Sequence, residues 1–235
     1  MFRPRVRVKI CCMQSPLEAA TAVSAGADAI GLVSRMPSGP GPISESAIAG
    51  IAAAVPPGVA TFLLTCEQNA AAIIAQQRRC GANTIQLVDE VEPGAHAELR
   101  ASLPGISIVQ VIHVRDETTI REAVAVAPGV DAILLDSGNP SLAVKELGGT
   151  GRAHDWEISR AIRDTVTIPV YLAGGLNAGN VASAIGTVMP FGVDVCSGVR
   201  TDGALDEGKL RSFMRAVFSS PLPNVPSPAP SGRSP

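Results

Sequence analysis

Aromatic side chains are scarce in this chain: one Trp, one Tyr and five Phe among 235 residues, 3% of the total. Charge is scarce as well, at 17%, with 19 basic residues against 21 acidic ones and a formal net charge of -2. Proteins hold nucleic acid by cationic attraction to phosphates and by stacking bases on aromatic rings, so both shortages argue against that partner. No apolar run approaches the roughly 18 residues that cross a bilayer, because every Ala-rich stretch is interrupted by Gly, Pro or a charged residue. A membrane partner is therefore not expected. The basic start, M-F-R-P-R-V-R-V-K, is followed by no secretory apolar core, and the expected location is the cytoplasm. Cysteines number five (Cys11, Cys12, Cys66, Cys80 and Cys196), with no C-x-x-C pair and no histidine at ligand spacing. Reduced thiols and no metal are the expectation.

What the chain does have is apolar mass, 46% of residues, enough to collapse into a globular core. Short apolar or β-branched runs recur, each followed by a segment of helical character. The predicted strands cover 6–10, 28–33, 59–65, 83–88, 106–113, 131–136, 168–173 and 192–196. Eight strand-then-helix units with a repeat of about 27 residues fit a single-domain (β/α)8 TIM barrel, an α/β fold. A doubly wound sheet would usually have fewer strands, and the first strand-helix turn, I-C-C-M-Q-S-P, lacks a G-x-G-x-x-G phosphate loop. Gly26 and Gly81 stand where helices need left-handed ends, and Ser44 and Asn177 stand at expected N-caps. Residues 1–219 are assigned to the barrel. The Pro/Ser-rich remainder, 220–235, is expected to be a disordered tail, since its prolines cannot donate to a helix or a sheet ladder.

In such barrels chemistry belongs to the C-terminal ends of the strands. Strand alternation puts Arg7, Lys9 and Cys11 on one face, and Val6, Val8 and Ile10 on the face toward the helices. Lys9 would favour the thiolate of Cys11, unless Cys11 is only a small buried hydrophobe, the role expected of the other four cysteines. Asp136 ends the apolar I-L-L-D strand and serves either as an acid/base partner or as a capping carboxylate. Asp194 is an inward polar residue that could instead pair with Lys9. Gly-rich turns follow strands six, seven and eight: G-G-T-G (148–151), A-G-G-L-N (173–177) and C-S-G-V (196–199). They are either tight turns or, after strands seven and eight, a phosphate cradle of bare amides. His96 is expected on a helix surface, and His113 and His154 on the loop side of the barrel.

Together V-K-I-C (8–11), G-A-D-A-I-G (26–31), L-L-D (134–136), G-G-T-G-R-A-H-D-W (148–156), L-A-G-G-L-N-A-G-N-V (172–181) and V-D-V-C-S-G-V (193–199) run nearly end to end. In these motifs the chain resembles the phosphoribosylanthranilate isomerase family. The resemblance implies an Amadori rearrangement of a phosphorylated sugar adduct in tryptophan biosynthesis, without a cofactor. It makes Cys11 the general base and Asp136 the general acid. The phosphate would lie on amides of Gly174, Gly175, Ser197 and Gly198, and Lys9, Arg35, Gln86 and Asp194 are further candidates for substrate contact. Four departures stand out. Cys12 replaces the glycine after the base, Q-L-V-D replaces Q-L-H-G, and Arg200 replaces a carboxylate in S-G-V-R. The loop S-R-M-P-S-G-P-G-P-I-S lacks an arginine at the place that anchors the aryl carboxylate, leaving Arg35, Lys145, Arg152 or Arg200 as relocated cations. A related enzyme on another sugar adduct and a non-catalytic phosphate binder are the alternatives. The chain is expected to be a monomer or a homodimer.

Overall fold

The computed structural model describes residues 5–138 and 154–220 together with Leu142, Lys145 and Leu147. The G-G-T-G turn, Arg152 and residues 221–235 lie outside the described residues. Eight strands, β1 (Arg7–Ile10), β2 (Ala29–Val33), β3 (Ala60–Thr65), β4 (Thr84–Leu87), β5 (Ser107–His113), β6 (Ala132–Asp136), β7 (Val170–Leu172) and β8 (Gly192–Val195), pair in parallel and close into a barrel. Each predicted strand is present, with its ends displaced by two residues at most. Helices α1 (Pro16–Ser24), α2 (Glu45–Ala54), α3 (Ala70–Cys80), α4 (Ala95–Ser102), α5 (Thr118–Val126), α6 (Trp156–Thr165), α7 (Val181–Val188) and α8 (Glu207–Phe218) follow the strands in turn. Among the described residues no helix is long and apolar enough to cross a membrane.

Local chemistry sets the helix ends. The Ser44 hydroxyl accepts from the Ala47 amide, and Gly81 caps α3 at φ 68° in the left-handed region that costs a glycine little. The cap of α7 is Asn180 rather than Asn177, because the loop makes one further turn. The Asn177 carbonyl accepts from the amides of Asn180 and Val181, at 3.2 and 3.0 Å.

Alternation along the strands divides the apolar residues into two cores. Val8, Ile10, Ile30, Leu63, Ile85 and Ile133 face outward and meet the helices, with Phe213 of α8 fully buried among them. Ala29, Val33, Phe62, Leu64, Val109, Val111 and Leu134 fill the barrel interior. Inside, large and small residues alternate: the Phe62 and Tyr171 rings meet edge to face at 6.0 Å, and a Cβ on Gly192 would lie 2.6 Å from the Tyr171 ring. The barrel is thus a packed plug below and a cleft above. Truncating Phe213 to Ala should cost roughly 3–5 kcal/mol, read as a lower urea midpoint at unchanged slope. A stability within about 0.5 kcal/mol of wild type would show that α8 does not carry the outer core.

Candidate active site

A fully buried lysine organises the upper barrel. Lys9 has no solvent exposure, and its Nζ donates to Asp194 Oδ2 at 2.8 Å across the β1–β8 seam, where the two residues sit in register. The same ammonium lies 5.2 Å from the Phe62 ring centre, a cation–π distance. Burial disfavours the charge on Lys9, but the Asp194 carboxylate and the neighbouring Cys11 more than offset it and hold the ammonium above the ordinary lysine range. Burial also pulls the Asp194 carboxyl upward, against its partner. The short charge-assisted contact decides for the ionised pair.

Cys11 follows at the end of β1 with its sulfur turned inward. A Cβ on Gly31 of β2 would lie 2.6 Å from this sulfur and 3.1 Å from Lys9 Nζ, so only glycine at 31 leaves room for both. Cys12 adopts φ 66°, and its carbonyl accepts from Arg200 Nη1 at 2.9 Å. The Cys12 thiol, acting as donor, holds Cys11 below the usual thiol range; burial opposes this and Lys9 assists it. Cys12 itself stays protonated far above that range, because it donates toward Cys11 and Cys196 and is buried. In the resting geometry its Sγ lies 3.7 Å from the Pro40 carbonyl, so that carbonyl competes for the same proton. We assign the proton to Cys11 whenever Cys11 is ionised, because a thiolate is the stronger acceptor.

Across the mouth, Asp136 ends β6 half-buried. Burial pushes its carboxyl above the usual carboxylate range, against the Ser137 amide that donates to Oδ1 at 2.7 Å. The two candidates for proton transfer are therefore biased in opposite directions, the thiol toward its base and the carboxyl toward its acid.

These groups line one cleft together with Gln86, Gly174, Gly175, Asp194 and Ser197. Gly174 and Gly175 take φ 80° and 62°, and a three-residue 3-10 turn opens at Ser197. Gly198 packs behind that turn, where a Cβ would lie 2.0 Å from the Leu176 carbonyl oxygen. Gln86 Oε1 and Asp194 Oδ1 are buried without a hydrogen-bond partner. Lys9 lies beneath the cleft rather than on its lining. Arg35 is exposed and does not line it, although its loop contributes Met36, Ser38, Gly39 and Pro40. Arg200 is tied to Glu18 at 2.9 Å and Lys145 to Asp89, so both cations are already paired away from the cleft. Cys12 and Cys196, expected to be inert hydrophobes, both line it. The signals that could have found them were the doubled cysteine at a strand end and the inward parity of 194 and 196. His113 is buried, with Nε2 donating to the Val88 carbonyl at 3.0 Å, and His154 is pushed down to about 4 by burial. His96, half-buried, is held by Gln110 at 3.1 Å rather than free on the surface. Among the described residues no group of three His, Cys, Asp or Glu side chains is arranged to hold a metal ion.

Replacing Lys9 by Met strands the Asp194 carboxylate inside the barrel, at an expected cost of about 3–5 kcal/mol in urea unfolding. The double change Lys9→Met with Asp194→Leu should recover most of it, and a double variant no more stable than the single one would refute the pairing argument.

Comparison with known proteins follows the same lines. The family model for N-(5'-phosphoribosyl)anthranilate (PRA) isomerase matches residues 8–216. The N-(5'-phosphoribosyl)anthranilate isomerase of Halobacterium salinarum is 35% identical over 221 residues, covering 93% of this chain and 99% of its own. The phosphoribosyl anthranilate isomerase structure from Thermotoga maritima is 31% identical with a TM-score of 0.76, covering 91% of this chain and 98% of its own. A further structure of such an isomerase, in complex with reduced 1-(o-carboxyphenylamino)-1-deoxyribulose 5-phosphate, is 29% identical with a TM-score of 0.74 and covers 91% and 98%. The closed barrel, its cleft and these matches agree, and the chain belongs to the phosphoribosylanthranilate isomerase family.

Proposed function

We propose that this chain isomerises N-(5'-phosphoribosyl)anthranilate to 1-(2-carboxyphenylamino)-1-deoxyribulose 5-phosphate in tryptophan biosynthesis, with Asp136 as acid and Cys11 as base. The observation that carries the assignment is the opposed bias of these two groups across one cleft. Asp136 gives its proton to the ribose ring oxygen, the C1–O bond breaks, and the electron pair of the aryl nitrogen forms the Schiff base. The Cys11 thiolate then removes the C2 proton, giving an enolamine that becomes the aminoketose. Every step moves a proton within the substrate–protein pair, so no redox or group-transfer cofactor is called for.

Binding divides along the cleft. The amides of Gly174, Gly175, Ser197 and Gly198 form the phosphate cradle in this proposal, since bare backbone lets an anion approach closely. Gln86 Oε1 and Asp194 Oδ1 lack donors and would accept from ribose hydroxyls, which satisfies two otherwise costly buried acceptors. Lys9 contributes charge to the site and no direct contact. Residues 1–219 are taken as the catalytic barrel and 220–235 as its appendage, acting in the cytoplasm as a monomer or homodimer.

Purified protein added to N-(5'-phosphoribosyl)anthranilate should quench the fluorescence of that compound. Cys11→Ser and Asp136→Asn should each lower kcat by roughly 10²–10⁴ while a reduced product analogue still binds. Wild-type kcat in either variant would overturn the residue assignment, and an inert wild type that still binds the analogue would point to another sugar adduct. The profile of kcat/KM against pH should be a bell whose limbs belong to the pair jointly. The Cys12 donor lowers the Cys11 pKa, so Cys12→Gly should move the thiolate limb to higher pH, and an unmoved limb would remove Cys12 from that role.

A further inference from the structure

Cys12 and Cys196 take no part in the proton transfers, yet both share the catalytic cleft with Cys11. In a regular strand the side chain after an inward Cys11 would point outward. The left-handed backbone at Cys12, φ 66°, breaks that alternation and brings its sulfur to the same side. Two features fix the turn: Arg200 holds the Cys12 carbonyl from behind, and Gly41 makes room in front, where a Cβ would lie 2.7 Å from Cys12 Cβ and 3.1 Å from its sulfur. Cys196 arrives from the other flank. Ile10 pairs with Val195 and the Cys11 amide donates to the Val195 carbonyl at 2.8 Å, so Cys11 and Cys196 are the next residues on adjacent strands. Adjacent strands run about 4.8 Å apart, within the ~4.4–6.8 Å between Cα atoms that a disulfide accepts.

The three sulfurs differ in state. Cys11 is biased toward the nucleophilic thiolate and Cys12 keeps its proton. A thiolate flanked by thiols is open to two-electron oxidants, and a neighbouring thiol can resolve the product.

We propose that Cys11 and Cys196, with Cys12 beside them, form a reversible oxidation site, at which a hydroperoxide converts Cys11 to a sulfenic acid and Cys196 closes on it as a disulfide. In the first step the Cys11 sulfur attacks one peroxide oxygen, the O–O bond breaks, and the leaving oxygen takes a proton. In the second, the Cys196 sulfur bonds to Cys11, the S–OH bond breaks, and hydroxide leaves with the Cys196 proton as water. The sulfurs lose two electrons and the peroxide gains them. Cys12 is the chain neighbour of Cys11, with about 3.8 Å between their Cα atoms across a trans peptide, which is short of the disulfide range; it serves as hydrogen-bond donor and not as the closing thiol. The accompanying loss of isomerase activity rests on Cys11 being the base; the disulfide itself does not.

The full chain is treated with hydrogen peroxide, its remaining thiols are alkylated, and tryptic peptides are weighed. Cys11 and Cys12 share the peptide between Lys9 and Arg35, and Cys196 lies on one ending at Arg200. The expected result is the Cys11 peptide cross-linked to the Cys196 peptide, forming roughly tenfold faster than Cys66 is oxidised and reversed by dithiothreitol. In Cys196→Ser the oxidised Cys11 should pass on to the sulfinic acid and recover several-fold less. Oxidation of Cys11 to the sulfinic acid in wild type, with Cys12 and Cys196 still alkylated, would overturn the proposal, as would Cys66 reacting equally fast. If the disulfide forms and activity persists, the oxidation site stands and the role of Cys11 as base falls.

Discussion

A lysine ammonium without solvent exposure must be answered inside the protein, and the upper half of this barrel is the answer. Lys9 is met by Asp194 from the adjacent strand, by the face of Phe62 and by the Cys11 sulfur at the cleft floor. Removing water from such charges costs several kcal/mol per ion, which only close geometry can offset. That cost fixes β1 against β8, requires glycine at 31, and places a positive charge directly under the Cys11 sulfur. The seam of the barrel and the bias of the Cys11 thiol are one arrangement.

The barrel could be read from the sequence because strands of a parallel sheet are covered on both faces and appear as short apolar runs. D-A-I-L-L-D and I-S-I-V-Q-V-I-H stand out from their helical neighbours for that reason, and their count gave the closure. Asp136 stands out because an acid ends an otherwise apolar strand, although a capping carboxylate reads the same way in the sequence. Asp194 shares the inward parity of Lys9, which makes pairing of the two one of its readings in the sequence.

What stayed hidden depends on contacts between segments distant in the chain. Parity sends Cys12 outward, and nothing local to C-C-M-Q reports that Arg200, nearly the length of the chain away, holds the turn that brings it back. Arg200 and Lys145 look like spare cations in the sequence; Glu18 and Asp89 engage them in the fold. Asn177 looks like a cap until the loop's extra turn hands that place to Asn180. Strand periodicity carries the fold, whereas electrostatic pairing across the barrel decides which side chains remain available for chemistry.

The account turns on a thiolate held at Cys11 by a hydrogen-bonding neighbour and a buried ammonium. Ultraviolet absorbance of thiolate, followed against pH in the wild type and in Cys11→Ser, measures that directly. One sulfur should ionise below the ordinary thiol range in the wild type, and that step should vanish in Cys11→Ser. If every sulfur in the folded wild type ionises at or above the ordinary range, the central claim is contradicted.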